Sequence, residues 1–152
     1  FFGREYAVQR DSEQTHILDE LYKTTKMGME AAEALLPRIR GKELSEQVRR
    51  QDETYINTME KTRDLLQRAG REPAGTGRAS ERMVRGSVLM NTLLDRSAHR
   101  TAELMIKGST LGITTVTSAL NRAPDDGTDA RRLAEEYIGA EEKNIDRLKK
   151  FL

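Results

Sequence analysis

The sequence predicts a single-domain, all-α protein. Four long helices are expected to pack as an antiparallel bundle, with a short crossover helix between the second and the third. Aromatic residues make up only 5% of the 152 residues and cysteine is absent, a composition typical of a helical protein with a narrow core. Apolar residues recur with a period of 3.6 in four segments of similar length. Two tight turns and one long connection join these segments, as in two helical hairpins linked by a crossover.

The first predicted helix covers residues 12–36, and residues 1–11 are expected to form an N-terminal tail. Its apolar stripe includes Leu18, Leu21, Met29, Ala32 and Leu35. Pro37 and Gly41 end this helix, because proline cannot continue the hydrogen-bond ladder and glycine favours the turn that follows. The second predicted helix covers residues 43–69, and Gly70 then stands at the position that often closes a helix.

Residues 72–77 contain one proline and two glycines and form the one clear linker. The crossover helix is predicted over residues 80–94, with a break near Arg96. The third long helix is predicted over residues 98–122, with Asp95 or Ser97 as its capping residue.

The fourth long helix is predicted over residues 129–152. A turn at residues 124–127 precedes it, since this stretch contains a proline, two aspartates and a glycine. Thr128 or Asp126 is expected to cap its first turn.

Composition also excludes several functions. Without cysteine the chain has no disulfide scaffold, zinc–thiolate site or thiol nucleophile. A net charge of +1 with interleaved acidic and basic residues gives no bulk attraction to nucleic acid or to a membrane, and the apolar runs are too short to span a bilayer. No segment reads as a signal peptide, so we expect a cytoplasmic protein. The expected partners are a second copy, in a homodimer, and an unknown protein.

Five polar residues fall on helix stripes that are otherwise apolar. They are Asp52, Tyr55, Ser109, Glu141 and Asn144. Burial of a carboxylate without partners is costly, so we expect the five to meet in space as a polar network that sets the helix register. Two alternatives stay open: an altered cation site that uses Asp52 and Glu141, and a position for all five at the solvent edge.

Small residues make the middle of two helices narrow, namely Gly28, Gly108, Ser109 and Gly112. We favour close helix approach as the reason, because glycine inside a helix costs about 0.5–1 kcal/mol relative to alanine. A cavity for a small ligand is the alternative. The six methionines are interpreted as core residues that fill gaps rather than as a copper site.

Four stretches carry a resemblance to a known family: residues 26–33, 70–73, 107–109 and 141–148. In order and spacing they resemble the ferritin-like superfamily, and more narrowly the small rubrerythrin-like bacterial bundles of unassigned function. The resemblance covers residues 15–152. It implies a ferritin-like fold, in which a di-iron centre takes a glutamate from each of two helices and a Glu-x-x-His pair from each of the other two.

These iron ligands are replaced in the present chain. The two Gly-Glu positions are Gly28-Met29 and Gly108-Ser109, and the two Glu-x-x-His positions are Asp52-x-x-Tyr55 and Glu141-x-x-Asn144. The chain's two histidines, His16 and His99, lie far along their helices from these positions.

The resemblance therefore implies a ferritin-like bundle that has lost its di-iron centre. We expect no catalytic residue, no cofactor and no metal; if a metal does bind, its ligands are Asp52 and Glu141. The predicted role is structural or in protein interaction. The alternatives are a metal-binding protein with an altered site near these two residues, and a small-ligand binder in the bundle core.

Overall fold

The structure is a computed structural model that describes residues 2–73, 82–88, 95–125 and 127–152; for residue 2 and residues 6–11 it describes the backbone alone. Every regular element among these residues is helical, which confirms the all-α prediction. The four long helices are α1 (Phe2–Leu35), α2 (Lys42–Arg68), α3 (Ala98–Arg122) and α4 (Asp129–Leu148). Short 3-10 turns, Leu36–Arg38 and Lys149–Phe151, follow α1 and α4.

The N-terminal boundary differs from the prediction. Residues 2–11 were expected to form a tail, but α1 begins at Phe2. The segment contains no proline, and Gly3 is its only strong helix-disfavouring residue, so nothing in it stops the helix that the following residues form. Of the predicted crossover helix, residues 82–88 are helical and are called the crossover segment below. The remainder of residues 80–94 lies outside the described residues.

Local capping explains the other helix ends. The Ser97 hydroxyl accepts a hydrogen bond from the Arg100 amide at 3.1 Å, and the Thr128 hydroxyl accepts one from the Arg131 amide at 3.3 Å. Each bond satisfies an amide that the first turn of a helix leaves unpaired. After α2, Gly70 adopts a φ of 74°, which lets the Arg71 amide bond back to the Leu66 carbonyl.

Helix α1 packs against the three other long helices, and α4 packs against all three as well. The buried apolar side chains form two clusters. The first contains Ile17, Leu18, Leu21, Tyr22, Tyr55, Leu66, Val116, Ala119, Leu120, Ala130, Leu133, Ala134 and Tyr137. The second contains Ala32, Leu35, Leu44, Val48, Val88, Ala102, Met105 and Leu148. Buried polar residues occupy the helix positions between the two clusters, and the candidate site is built there.

Over the described parts of the chain, no helix combines the length and the apolar character that a membrane span requires.

Candidate ligand-binding site

A ring of hydrogen bonds connects buried side chains of α2 and α4. Gln47 Nε2 donates to Gln51 Oε1 at 3.2 Å and to Asn144 Oδ1 at 3.3 Å. Gln51 Nε2 donates to Tyr55 Oη at 3.3 Å. The three α2 residues lie at four-residue spacing, so they share one face of the helix, and that face points at α4.

Glu141 closes the ring. Tyr55 Oη donates to Glu141 Oε2 at 3.0 Å, and Asn144 Nδ2 donates to Glu141 Oε1 at 3.0 Å. Followed from donor to acceptor, the hydrogen bonds of the ring lead to the Glu141 carboxylate, and both of its oxygens act as acceptors. This pattern suits an ionised carboxylate, which has hydrogen-bond acceptors only. Only 1% of Glu141 is exposed.

Burial raises the pKa of Glu141, while Ser109, Asn144 and Tyr55 act in the opposite direction by stabilising the charged form. Burial, and then the negative charge of Glu141, raise the pKa of Tyr55 and of Tyr137 far above the ordinary range. Both phenols therefore stay protonated at physiological pH and serve as hydrogen-bond donors or acceptors, not as bases.

Two hydroxyls at this level have no hydrogen-bond partner among the described residues. Ser109 Oγ lies close enough to Glu141 and Tyr55 to lower the pKa of both, yet it makes no hydrogen bond of ordinary geometry. Tyr137 is 4% exposed, and its hydroxyl has no hydrogen bond to any described residue. A buried polar atom without a partner costs about 1–3 kcal/mol, so Ser109 Oγ is suited to a partner that the described residues do not supply.

The structure places four of the five expected polar residues in one layer: Tyr55, Ser109, Glu141 and Asn144. Asp52 does not join them and makes no hydrogen bond within the described chain. It lies one residue further round α2 than Gln51, about 100° away on the helix, and its carboxylate is half-buried near Glu33 of α1. The expected network is therefore corrected: the inward polar residues of α2 are Gln47, Gln51 and Tyr55.

Gln47 and Gln51 were not identified from the sequence. Their signal was present, because with Tyr55 they repeat every four residues on one helix face. The apolar residues Leu44 and Val48 also repeat every four residues on α2, and the next position in that repeat is Asp52. The polar role of Tyr137 depends on the residues of the other helices that face it, which helix periodicity does not show.

The position of Asp52 makes stability depend on pH. Burial, Glu33 and Glu53 raise its pKa from 3.8 to about 6. The folded protein therefore binds the proton more tightly than the unfolded chain does, and stability falls as pH rises from about 4 through about 6. We expect Asp52→Asn to remove this loss and to stabilise the protein at pH 7 by up to about 1 kcal/mol, a small value because water screens the half-exposed group. Urea unfolding at pH 4, 5, 6 and 7 measures it.

Glu46→Gln is the matched control for this experiment, because Glu46 is an exposed carboxylate on the same helix. The control should retain the pH profile of the wild type. A profile for Asp52→Asn that is parallel to the wild type would contradict the assigned position of Asp52.

A cavity of about 520 Å³ opens beside the polar layer, between α1 and α3 and against the crossover segment. Its apolar walls include Ala31, Leu35, Val84, Val88, Leu104 and Met105. Its polar residues include Tyr55, Ser109, Tyr137 and Glu141, so the members of the layer that face α1 and α3 form the floor of the cavity. The volume lies within the range of small-molecule sites, about 300–1,000 Å³.

The helix glycines serve two purposes. A Cβ atom at Gly28 would lie 3.0 Å from the Tyr55 ring, and one at Gly112 would overlap the Tyr137 hydroxyl. These glycines therefore give room to the two tyrosines, as the close-approach interpretation requires. Gly108 differs, since a Cβ atom there would meet no neighbour within 4 Å. Gly108 lines the cavity, so at this position the small residue leaves open space.

Exposed apolar residues surround this cavity. Met27, Met83 and Leu111 line it and are 41%, 75% and 60% exposed. The methionines were expected to lie in the core, but only Met105 is fully buried among those described; Met29 and Met59 are partly buried, and Met90 lies outside the described residues. An apolar rim favours entry of an apolar molecule, or contact with another apolar surface.

The alternative of an altered metal site gains no support from the geometry. Within residues 2–73, 82–88, 95–125 and 127–152, no group of three or more histidine, aspartate and glutamate side chains is close enough to hold a metal ion. Asp52 and Glu141 belong to different surroundings, as described above. His99 is engaged elsewhere, with its Nδ1 atom 3.1 Å from the Leu152 carbonyl oxygen.

Comparison with known proteins gives no further assignment. No protein-family model, no curated protein and no solved structure matches this chain.

Proposed function

We propose that this chain is a non-catalytic, ferritin-like four-helix bundle that binds a small, mainly apolar molecule in the cavity between α1 and α3. The observation that carries this proposal is the combination of an apolar cavity with the buried Ser109 Oγ and the Tyr137 hydroxyl, neither of which has a hydrogen-bond partner among the described residues. Binding sites for small molecules typically pair apolar walls with a few polar groups that orient the ligand.

Contacts between neighbouring helices support an antiparallel arrangement of the helices in the proposed bundle. Between α1 and α2, Tyr22 accepts a hydrogen bond from Arg63, whereas Gly28 lies against Tyr55. Higher numbers on one helix thus face lower numbers on the other. Between α3 and α4, Gly112 lies against Tyr137 and His99 against Leu152, in the same inverse order. Two hairpins of this kind, joined by the long connection that contains the crossover segment, agree with a ferritin-like chain path.

A role in binding agrees better with the chemistry of the cavity floor than catalysis does. Tyr55 and Tyr137 have raised pKa values and do not act as bases. Glu141 already accepts hydrogen bonds at both oxygens. These groups form a preorganised surface for a ligand, and none of the described lining residues is an activated nucleophile.

The experiment is a titration with N-phenyl-1-naphthylamine, a neutral apolar dye whose fluorescence rises on transfer out of water. We expect saturable binding to the wild type. Gly108→Phe should weaken it at least about tenfold, because Gly108 lines the cavity and a phenylalanine ring there would take up part of its volume. The same change should not lower thermal stability, since it replaces a helix glycine by a residue of higher helix propensity.

Gly139→Phe is the matched control. Gly139 is also a helix glycine at which an added Cβ atom would meet no neighbour within 4 Å, but it does not line this cavity. The control variant should bind the dye as the wild type does. Equal affinity in Gly108→Phe and Gly139→Phe would mean that the dye binds elsewhere and would overturn the proposed site.

The apolar rim favours a second candidate function, contact with a second copy of the chain. Met83 and Leu111 are the most exposed large apolar side chains described, and both lie at the cavity. If the dye does not bind and light scattering gives the mass of a dimer, this candidate replaces the first, in line with the protein-interaction role expected from the sequence.

A further inference from the structure

The charged residues that line the cavity, within the described part of the chain, are both acidic. Among the described lining residues these are Glu141, at the floor, and Glu20, on α1. No described lysine, arginine or histidine lines the cavity. The only described ion pair of Glu20 is with Lys23, at a long 3.9 Å. The electrostatic potential inside the cavity therefore favours a positive charge.

Glu141 has no cationic partner. It forms no ion pair with any described residue, and its hydrogen bonds come from two neutral groups, the Tyr55 hydroxyl and the Asn144 amide. These donors orient the carboxylate but do not neutralise it. A buried carboxylate without a countercharge is costly, and the cost falls when a cation arrives with good geometry. The ring of hydrogen bonds thus holds an acceptor ready for a positively charged donor.

The remaining polar atoms of the floor are suited to an ammonium group. Such a group has three N–H donors, and the floor offers the Glu141 carboxylate together with two hydroxyl oxygens that accept no hydrogen bond from a described residue, Ser109 Oγ and Tyr137 Oη. The rings of Tyr55 and Tyr137 line the same cavity, and aromatic faces attract cations. The walls and the rim are apolar, so the rest of the molecule must be apolar as well.

We propose that the ligand of this cavity is a hydrophobic primary amine, bound as its ammonium ion, with the charged end at Glu141 and the apolar body against the walls between α1 and α3. This proposal rests on the proposed function, because it requires that the cavity bind a small molecule, and it adds the chemical class of that molecule.

The experiment compares three eight-carbon molecules that differ only at the polar end: octylamine, 1-octanol and octanoate. Each is titrated against the wild-type protein with bound N-phenyl-1-naphthylamine at pH 7.5 and constant sodium chloride. We expect octylamine to displace the dye at a concentration at least about tenfold lower than 1-octanol does, since a charge-assisted hydrogen bond in a partly buried site is worth more than a neutral one. Octanoate should be the weakest.

Glu141→Gln tests whether the Glu141 carboxylate is the group that favours the amine over the alcohol. In this variant the ratio of the 1-octanol to the octylamine dissociation constant should fall towards one. Glu142→Gln removes the same charge from the adjacent, exposed position and should keep the wild-type ratio. Far-ultraviolet circular dichroism and a melting curve confirm that each variant is folded, and if Glu141→Gln is not, the comparison of the three ligands on the wild type decides alone.

The outcomes separate the two proposals. If 1-octanol and octylamine displace the dye equally well, the cavity binds small molecules but the amine assignment is overturned. If octanoate binds most tightly, the assigned charge of the floor is overturned. If the dye does not bind the wild type and none of the three molecules shifts its melting temperature, the proposed function itself fails. A tenfold preference for octylamine that is lost only in Glu141→Gln supports both.

Discussion

Glu141→Ala is expected to lower the free energy of unfolding by about 2–4 kcal/mol. The carboxylate is the end point of the hydrogen-bond ring, and its removal leaves the Tyr55 hydroxyl and the Asn144 amide without their acceptors. Each buried donor left unsatisfied costs about 1–3 kcal/mol. Relief of the buried negative charge offsets a part of this loss, so the expected value lies below the sum for two isolated donors. Urea denaturation monitored by circular dichroism measures it.

Glu142→Ala is the matched control, because Glu142 is the exposed neighbour on the same helix and surface substitutions usually change stability by less than about 0.5 kcal/mol. The double variant Glu141→Ala/Tyr55→Phe should lose less than the sum of its two single variants, because it removes a donor together with its acceptor. Additive losses, or a loss in Glu141→Ala no greater than that in Glu142→Ala, would show that the ring does not stabilise the fold.

Gly112→Ala is expected to destabilise the protein by about 1–3 kcal/mol, although alanine is the better helix former. Its Cβ atom would overlap the Tyr137 hydroxyl and would lie 3.1 Å from Thr24 Cγ2. The buried Tyr137 ring must then move, and it carries one of the two free hydroxyls of the cavity floor. Thermal unfolding measures the loss of stability, and dye titration should show weaker binding in the same variant.

Tyr137→Phe provides the rescue for this experiment. It removes the hydroxyl, and the nearest ring atom, Cζ, then lies 3.2 Å from the new Cβ. We expect Gly112→Ala to cost clearly less in the Tyr137→Phe background than in the wild type. Gly108→Ala is the matched glycine control on the same helix; with no atom within 4 Å, it should stabilise the protein by about 0.5–1 kcal/mol. An equal cost of Gly112→Ala in both backgrounds would contradict the contact with Tyr137.

Helix boundaries were largely predictable because local chemistry determines them. Ser97 and Thr128 cap α3 and α4 through bonds to amides three residues on, and Gly70 adopts the positive φ that closes α2. The N-terminal part of α1 was not predicted, because residues 2–11 lack a clear apolar stripe and the helix there extends from a nucleus formed further along the chain.

The candidate site was predictable only in part. Helix periodicity placed Tyr55, Ser109, Glu141 and Asn144 on inward faces, and the structure describes them in one layer. It did not distinguish Gln51 from Asp52, since adjacent residues differ by about 100° around the helix and the edge of a buried face depends on how closely the next helix approaches. The resemblance that brought Asp52 into the ligand set reinforced this error.

Composition and period by themselves determined that the chain is helical, where most of its helices end, and that Tyr55, Ser109, Glu141 and Asn144 lie on inward faces. These properties depend on residues within a few positions of one another. Tertiary structure alone decided that Gly28 and Gly112 accommodate tyrosine rings whereas Gly108 borders open space, and that Glu141 lacks a countercharge. The physical reason is the distance between helices. The open space at Gly108 and the absence of a cation near Glu141 depend on atoms of α1, α2, α3 and α4 together, and sequence spacing does not specify how far apart those helices pack.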